Sequence, residues 1–320
     1  MRIVHDHNHD GINRRGFLEC MAWAGTGLVW SQATGVFTSR AFGQSSGRDA
    51  DAQFTFVQIS DSHIGFSKPA NPDVTATLQA VVAKIDALPR RPDFVIHTGD
   101  ISHTSRASEF DTMTQIMKEI HVPHIFYVPG EHDTATDDGK QYMALYGKGT
   151  QGRGWYSFDY KGTHFVALVN VGAVDGLGWL GRDQIAWLKN DLSTLSASTP
   201  IVVFAHIPLW QVYQPWGWNT QDSAEALTHL KRFGSVTVLN GHIHQVLQKV
   251  EGNVAFHTGM STAFPQPKPG SAASPGPMKV PAGELRKLLG IANVEVVRGN
   301  HSLAVIDSPL DASAASGEKS

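Results

Sequence analysis

Acidic and imidazole side chains recur along this chain in short clusters: Asp61-Ser62-His63, Gly99-Asp100, Gly130-Glu131-His132-Asp133, His206 and Gly241-His242-Ile243-His244. Carboxylate mixed with imidazole is ligand chemistry for Mn, Fe or Zn, and no cysteine stands among them to build a thiolate site. Asp61/His63 and His242/His244 are each spaced i, i+2, which in extended backbone turns both side chains to one face. Two such pairs with the single residues Asp100, Glu131 and His206 suffice to converge on two adjacent cations. A Gly-Asp after a strand, or a lone histidine, often arises by chance. Five pieces in one chain, each where a predicted strand ends, point to a metal site.

The elements that must carry them alternate. Phe54–Ile59 reads as a buried strand with a helix over Pro72–Leu88 behind it, then strand Phe94–Ile96, helix Ala107–Ile120 and strand His124–Val128. That alternation predicts a parallel sheet with crossover helices. The next part opens with a hairpin, Trp155–Tyr160 and His164–Val169 around a Lys-Gly-Thr turn. A helix over Arg182–Leu192 and strands at Ile201–Ala205, Val236–Leu239, Val246–Val250 and Val254–His257 follow. The expectation is an α/β protein of two mixed sheets packed face to face with helices outside, a four-layer α/β/β/α sandwich. The clusters then lie at the carboxyl ends of strands, where open α/β sheets bind their ligands.

The chain has 320 residues, 41% hydrophobic and 17% charged, with a net charge of -3. Such a chain buries a sizeable core and has no basic field to hold a nucleic-acid polymer. Residues 1–43 read as a twin-arginine signal peptide: Arg14-Arg15-Gly16-Phe17-Leu18, a weakly apolar stretch from Cys20 to Phe37, and small residues at Ala41-Phe42-Gly43. The expected course is export through the twin-arginine translocase to the periplasm or beyond, with no stable membrane anchor, because the apolar stretch is too short and polar to span. The single cysteine, Cys20, and the early histidines His5, His7 and His9 leave with the signal. Residues 44–52 read as a linker and 53–262 as the catalytic domain. Residues 263–307 read as an extension packing on the domain, with a Pro-rich loop over Phe264–Val280, a helix at Ala282–Leu289 and strands near Val294 and Leu303. Residues 308–320 read as a disordered tail.

In order and spacing the clusters resemble the calcineurin-like metallophosphoesterase superfamily, whose pattern runs Asp-x-His, Gly-Asp, Gly-Asn-His-Asp/Glu, His, Gly-His-x-His. In style the chain is most similar to the class that includes bacterial cyclic-nucleotide phosphodiesterases, over about Phe54 to Met260. The resemblance implies hydrolysis of small-molecule phosphate esters, phosphodiesters slightly favoured, by a metal-bridging hydroxide. It implies that Asp61, His63 and His244 hold one metal ion, that Glu131, His206 and His242 hold the second, and that Asp100 bridges both. It implies that His132 lies beside the substrate, where it can protonate the leaving alkoxide. Asp133 either orients His132, acts behind the ligands or makes the turn.

One position departs from the family. Glu131 stands where the pattern has Asn, so a full negative charge replaces a neutral carbonyl. That charge opposes a phosphate dianion at close range, and it admits the alternative of a metal-loaded binding protein with weakened catalysis. His103 falls near the place where related purple acid phosphatases carry a tyrosine ligand. It either takes that place, contacts phosphate, or is a loop histidine outside the site. His97, His164 and His257 fall in predicted strands as core or supporting residues, while His121, His124, His229 and His301 read as structural. The aromatic run Trp210 to Trp218 either stacks on substrate or packs its own loop down.

Overall fold

The computed structural model describes residues 28–33, 36–41, 54–172, 177–296 and 303–311. Within the expected signal segment, Leu28–Ala33 (β1) and Val36–Ala41 (β2) form an antiparallel hairpin. Arg14-Arg15, the early histidines and the 44–52 linker lie outside the described residues, as does His301.

The rest is built on two mixed sheets. The first runs in the order β13-β12-β3-β4-β5. Its central strands are β3 (Phe54–Ile59), β4 (Phe94–His97) and β5 (Ile125–Tyr127), parallel to one another. The second has the order β10-β11-β9-β8-β7-β6. Its strands are β6 (Tyr156–Tyr160), β7 (Thr163–Ala167), β8 (Ile201–Phe204), β9 (Val236–Asn240), β10 (Gln248–Glu251) and β11 (Val254–Thr258). The hairpin β6–β7 turns on Lys161 and Gly162, both with positive φ, the backbone a tight two-residue connection requires.

Alternation along each strand assigns the layers. Phe54 and Phe56 of β3, Phe94 and Ile96 of β4, Phe165 of β7, and Val202 and Phe204 of β8 meet in one core between the sheets. On the other face of the first sheet, Val57, Ile59 and Val95 pack under α1 (Val74–Asp86) and α2 (Ala107–Met117). Helix α1 buries Val74, Leu78, Val81, Val82 and Ile85, a stripe at helical spacing, and its N-cap Asp73 accepts from the amide of Ala76. Two short helices follow β5: α3 (Glu131–Thr134) and α4 (Lys140–Tyr146). The outer face of the second sheet packs under α5 (Arg182–Ser193) and α6 (Ser223–Leu230) through Leu188, Leu192, Ala226 and Leu230. The four layers expected from the sequence are therefore present.

The C-terminal segment is more than an extension packed on the domain. After the Pro-rich loop and a single turn of helix, α7 (Leu285–Leu288), strand β12 (Gly290–Val296) pairs antiparallel with β3 from Val296↔Phe54 to Ala292↔Gln58. A strand buried on both faces cannot leave one edge of its peptide groups unpaired, and β12 fills that edge. Strand β13 (Leu303–Pro309) then closes the sheet. The ordered chain runs past the expected start of the tail at 308, because Leu310 and Asp311 donate their amides to Leu289 and Arg286. Across the sheets, His257 Nε2 of β11 meets Asp307 Oδ2 of β13 at 3.0 Å.

Candidate metal centre

Every expected ligand lies just beyond the carboxyl end of a strand: Asp61 and His63 after β3, Asp100 after β4, Glu131 after β5, His206 after β8, His242 and His244 after β9. Because those strands belong to both sheets, the loops meet at one end of the sandwich. The convergence is not achieved by extended backbone, as the i, i+2 spacing suggested. Asp61, His63, Asp100, His242 and His244 all sit in the left-handed region, with φ of 54°, 42°, 54°, 70° and 54°. Non-glycine residues adopt it rarely and at a cost, and such residues gather where function requires a particular side-chain direction. Two glycines make room for the resulting close approach. A Cβ on Gly130 would stand 2.0 Å from Asp100 Oδ1, and one on Gly99, itself at φ +95°, would stand 2.6 Å from His206 Nδ1.

The side chains gather into two trios. Asp61, His63 and His244 offer ligand atoms within 4.8 Å of one another, as do Glu131, His206 and His242. Asp100 lies between them, its Oδ2 3.5 Å from His63 Nε2 and 3.4 Å from His206 Nε2. Glu131 spans two imidazoles, with Oε1 2.9 Å from His242 Nδ1 and Oε2 2.9 Å from His206 Nε2. Its stem is partly exposed while the carboxylate points inward.

The donor atoms suit cations. His206 Nε2, His242 Nδ1 and Glu131 Oε2 are buried and lack a partner of hydrogen-bonding geometry. His206 Nδ1 donates to the carbonyl of Thr98 and His244 Nδ1 to that of Phe264, so in each ring Nε2 is the nitrogen that faces inward and, when the ring is neutral, the one with the lone pair. His244 Nε2 stands 3.2 Å from His63 Nε2. Lone pairs and carboxylates pointed into one buried space repel unless positive charge lies among them.

The ionisation of these groups expresses the same demand. Burial resists ionisation of Asp61, but the charge and hydrogen bond of His244 and the charge of His206 outweigh it and hold the carboxyl at about 2. Burial disfavours the charged form of His206, yet Asp100 and Glu131 raise it well above its ordinary value. His63 is held neutral, first by burial and then by the neighbouring imidazoles.

His132 lies beside this group. Burial lowers its basicity, but Asp100, Glu131 and the carbonyl of His103 raise it overall. Its Nδ1 is 2.7 Å from the carbonyl of His103. Asp133 does not orient that ring. It is fully buried and accepts from the amides of Gly130, Ile101 and Ser102 and from the Ser102 hydroxyl, at 2.8 to 3.1 Å. Four donors directed into one carboxylate leave it no reason to turn towards His132. Asp133 ties the loop after β5 to the loop after β4, so of the three roles left open it takes the one behind the ligands in place of orienting His132 for catalysis.

His97 supports from beneath. The amide of Gly99 donates to its Nδ1, so its Nε2–H is the donor to Ser62 Oγ at 2.8 Å, and burial pushes the ring down to about 3. Two further contributors join the centre: His103, which the sequence left open between site and loop, and Phe264, which it did not single out as a site residue. His103 lies with Nδ1 3.4 Å from His63 Nδ1 and stacks on His132. Phe264 stacks on His63 with ring centroids 4.8 Å apart. The position of His103 three residues after Asp100 was its one signal; Phe264 had none. The aromatic run divides: Trp218 is buried and Trp210 packs on the core near Phe256, while Tyr213 and Trp216 are half-buried. The Pro-rich loop is fastened beside the centre, with Gln266 Nε2 donating to the carbonyl of His242 and Gln245 Nε2 to that of Pro267.

The family model of calcineurin-like phosphoesterases matches residues 54–246. A 3′,5′-cyclic-nucleotide phosphodiesterase of Nostoc sp. is 25% identical over 217 residues, covering 66% of this chain and 79% of that protein. A glycerophosphodiester phosphodiesterase of Enterobacter lignolyticus is 30% identical over 139 residues, covering 42% of this chain and 49% of that protein. Among solved structures, a purple acid phosphatase from yellow lupin (Lupinus luteus) seeds superposes with a TM-score of 0.58 at 15% identity, covering 86% of this chain and 54% of that one.

Proposed function

The chain belongs to the calcineurin-like phosphoesterase family, and from that premise we propose that it is a two-cation hydrolase of small-molecule phosphodiesters. Hydrolysis of phosphate esters with metal ions is the family's chemistry; the cation pair and the diester preference are our reading. The observation that carries it is the pair of trios joined by Asp100, whose ligand atoms crowd one buried space with His206 Nε2, His242 Nδ1 and Glu131 Oε2 lacking hydrogen-bond geometry to any protein group. Asp61, His63 and His244 would hold one cation, Glu131, His206 and His242 the other, and Asp100 both. Without thiolate among the donors, Mn, Fe and Zn are the cations that suit them. Such a pair supplies Lewis acidity, neutralising charge on phosphoryl oxygens and bringing the ionisation of water towards neutral pH.

The chain's own residues do the rest. His132 gives its Nδ1–H to the carbonyl of His103, so its Nε2 is the nitrogen available to hold a proton for the leaving oxygen. Asp133 holds the loops that carry Asp100 and His132. Glu131 adds a negative charge among the inward donors, which opposes a monoester dianion more than a diester monoanion. Two of the relatives are named for diesters, which supports the same preference.

Mature protein stripped of metal and reloaded separately with Mn, Fe and Zn is expected to regain turnover of bis(p-nitrophenyl) phosphate in excess of p-nitrophenyl phosphate. Glu131→Asn should narrow that ratio. No turnover with two cations bound would turn the reading to a metal-loaded binding protein. The Arg14-Arg15 pair and the apolar stretch after it support export to the periplasm by the twin-arginine translocase. Arg14→Lys together with Arg15→Lys should trap the protein in the cytoplasm on cell fractionation, and unchanged export would sink the assignment.

A further inference from the structure

Three ring nitrogens beside the centre are fixed by main-chain carbonyls: His206 Nδ1 by Thr98, His244 Nδ1 by Phe264 and His132 Nδ1 by His103. His63 is held differently. Its Nδ1 faces another imidazole, Nδ1 of His103 at 3.4 Å, and among the described residues this is that nitrogen's one hydrogen-bond partner. The other nitrogen, Nε2, faces His244 Nε2 at 3.2 Å and Asp100 Oδ2 at 3.5 Å. A nitrogen that is to serve a cation there must keep its lone pair, which puts the proton of neutral His63 on Nδ1. His103 Nδ1 is then the acceptor, and His103 carries its own proton on Nε2.

Ligand atoms of His63, His103 and His132 also lie within 4.8 Å of one another, but the ring planes of the last two work against a shared cation. The two rings lie 4.8 Å apart and 17° from parallel, so their in-plane lone pairs run side by side instead of meeting. His103 is well placed to be rigid. Its amide donates to the carbonyl of Ile64, one residue beyond His63, and the edge of its ring meets Phe66 at 5.2 Å and 89°. The next residue is pinned by Glu109, which accepts from the amide and hydroxyl of Thr104. Ser105 Oγ then donates to the carbonyl of His132.

We infer that His103 is a positioning residue serving two histidines at once: its side chain presents His63 Nε2 to the cation, and its main-chain carbonyl presents His132 Nε2 to the substrate. The inference rests on the reading of His63 as a cation ligand. Substitution removes only the side-chain half, so the loss is expected in cation affinity. For full-length protein titrated calorimetrically with Mn, His103→Ala is expected to bind about 10–100-fold more weakly. His103→Asn, whose amide oxygen can still accept, should recover most of that loss. In metal-free protein, ring nitrogen resonances should show His63 protonated on Nδ1 in wild type and His103→Asn, and a tautomer mixture in His103→Ala. Wild-type affinity and tautomer in His103→Ala would overturn the inference, as would equal loss in Ala and Asn variants with a lowered Tm, the mark of a merely structural role. Failure of wild type itself to bind Mn would remove the cation reading, while the metal-free spectra would still decide the His63–His103 bond.

Discussion

His132 and Asp100 stand within hydrogen-bonding distance of each other, the amide of one on the carboxylate of the other, yet their loss should do different things. Asp100 touches a histidine of each trio, so Asp100→Ala removes a charge that both proposed cation positions share. Metal analysis should find neither cation retained, and turnover should vanish. His132, proposed as the proton donor, is not needed to complete either trio. His132→Ala should keep its metal and lose on the order of 10²–10⁴ in kcat, the range typical of a general acid. Two variants with wild-type turnover would refute both roles. Residue types and strand-end placement made these positions legible. The backbone that aims them was not, because neither Asp nor His announces a left-handed φ, and alternation along an extended strand was the natural guess. The role of Asp133 stayed open for a similar reason: adjacency to His132 allowed contact, whereas the first turn of α3 sends its carboxylate to the amides of Gly130, Ile101 and Ser102.

At the scale of elements, β6, β7 and α5 are joined away from the centre by one buried ring. His164 places Nδ1 2.8 Å from Asp159 Oδ1 and Nε2 2.9 Å from Asp191 Oδ2. Carboxylates donate nothing, so both ring nitrogens must carry hydrogen and the arrangement suits imidazolium. Burial lowers its basicity, but the hydrogen bonds of Asp191 and Asp159 prevail and raise it above the ordinary 6.5. A group whose folded value is raised contributes stability in full below its unfolded value, and the contribution disappears as pH climbs through the folded one. The Tm of wild type should therefore exceed that of His164→Gln most at about pH 5.5, with the gap closing above about 6.5. A gap that is constant or widens with pH would count against this clamp. Asp159 is largely exposed, so its share is screened by solvent and Asp191 carries more of it. The sequence placed His164 in a strand but could not pair it with Asp191, which lies on a separate helix. Helix α6 also went unread: its eight residues bury only Ser223, Ala226 and Leu230, too short a stripe to stand out as periodic.

At the scale of the molecule, the match to the family ends at residue 246, and the catalytic domain expected from sequence ends at 262, yet the first sheet runs past both boundaries through β12 and β13. Ligand order along the chain is legible because each ligand follows its own strand. The partner of β3 is not, because β12 pairs with it across more than two hundred residues of chain and the intervening Pro-rich loop resembles a boundary. Ile291, Val294 and Val296 of β12 are buried at 1%, 0% and 6% exposure, within the cores on either side of the sheet. At about 1.5–3 kcal/mol for each such side chain, their removal withdraws on the order of 5–9 kcal/mol, before the open edge of β3 is counted. Whole domains have only about 5–15 kcal/mol to lose. A chain ended after Thr262 should therefore be aggregated or without a cooperative melt by size-exclusion chromatography and calorimetry, and should bind no Mn, since Asp61 and His63 hang from β3. A soluble fragment melting cooperatively near the full-length Tm would show that β12 is dispensable and that the expected boundary was right. Ending the chain after Asp311 should cost little, because β13 and the amides of Leu310 and Asp311 are then retained. The difference between the two truncations isolates the C-terminal strands as the support on which the carboxylate half of the centre stands.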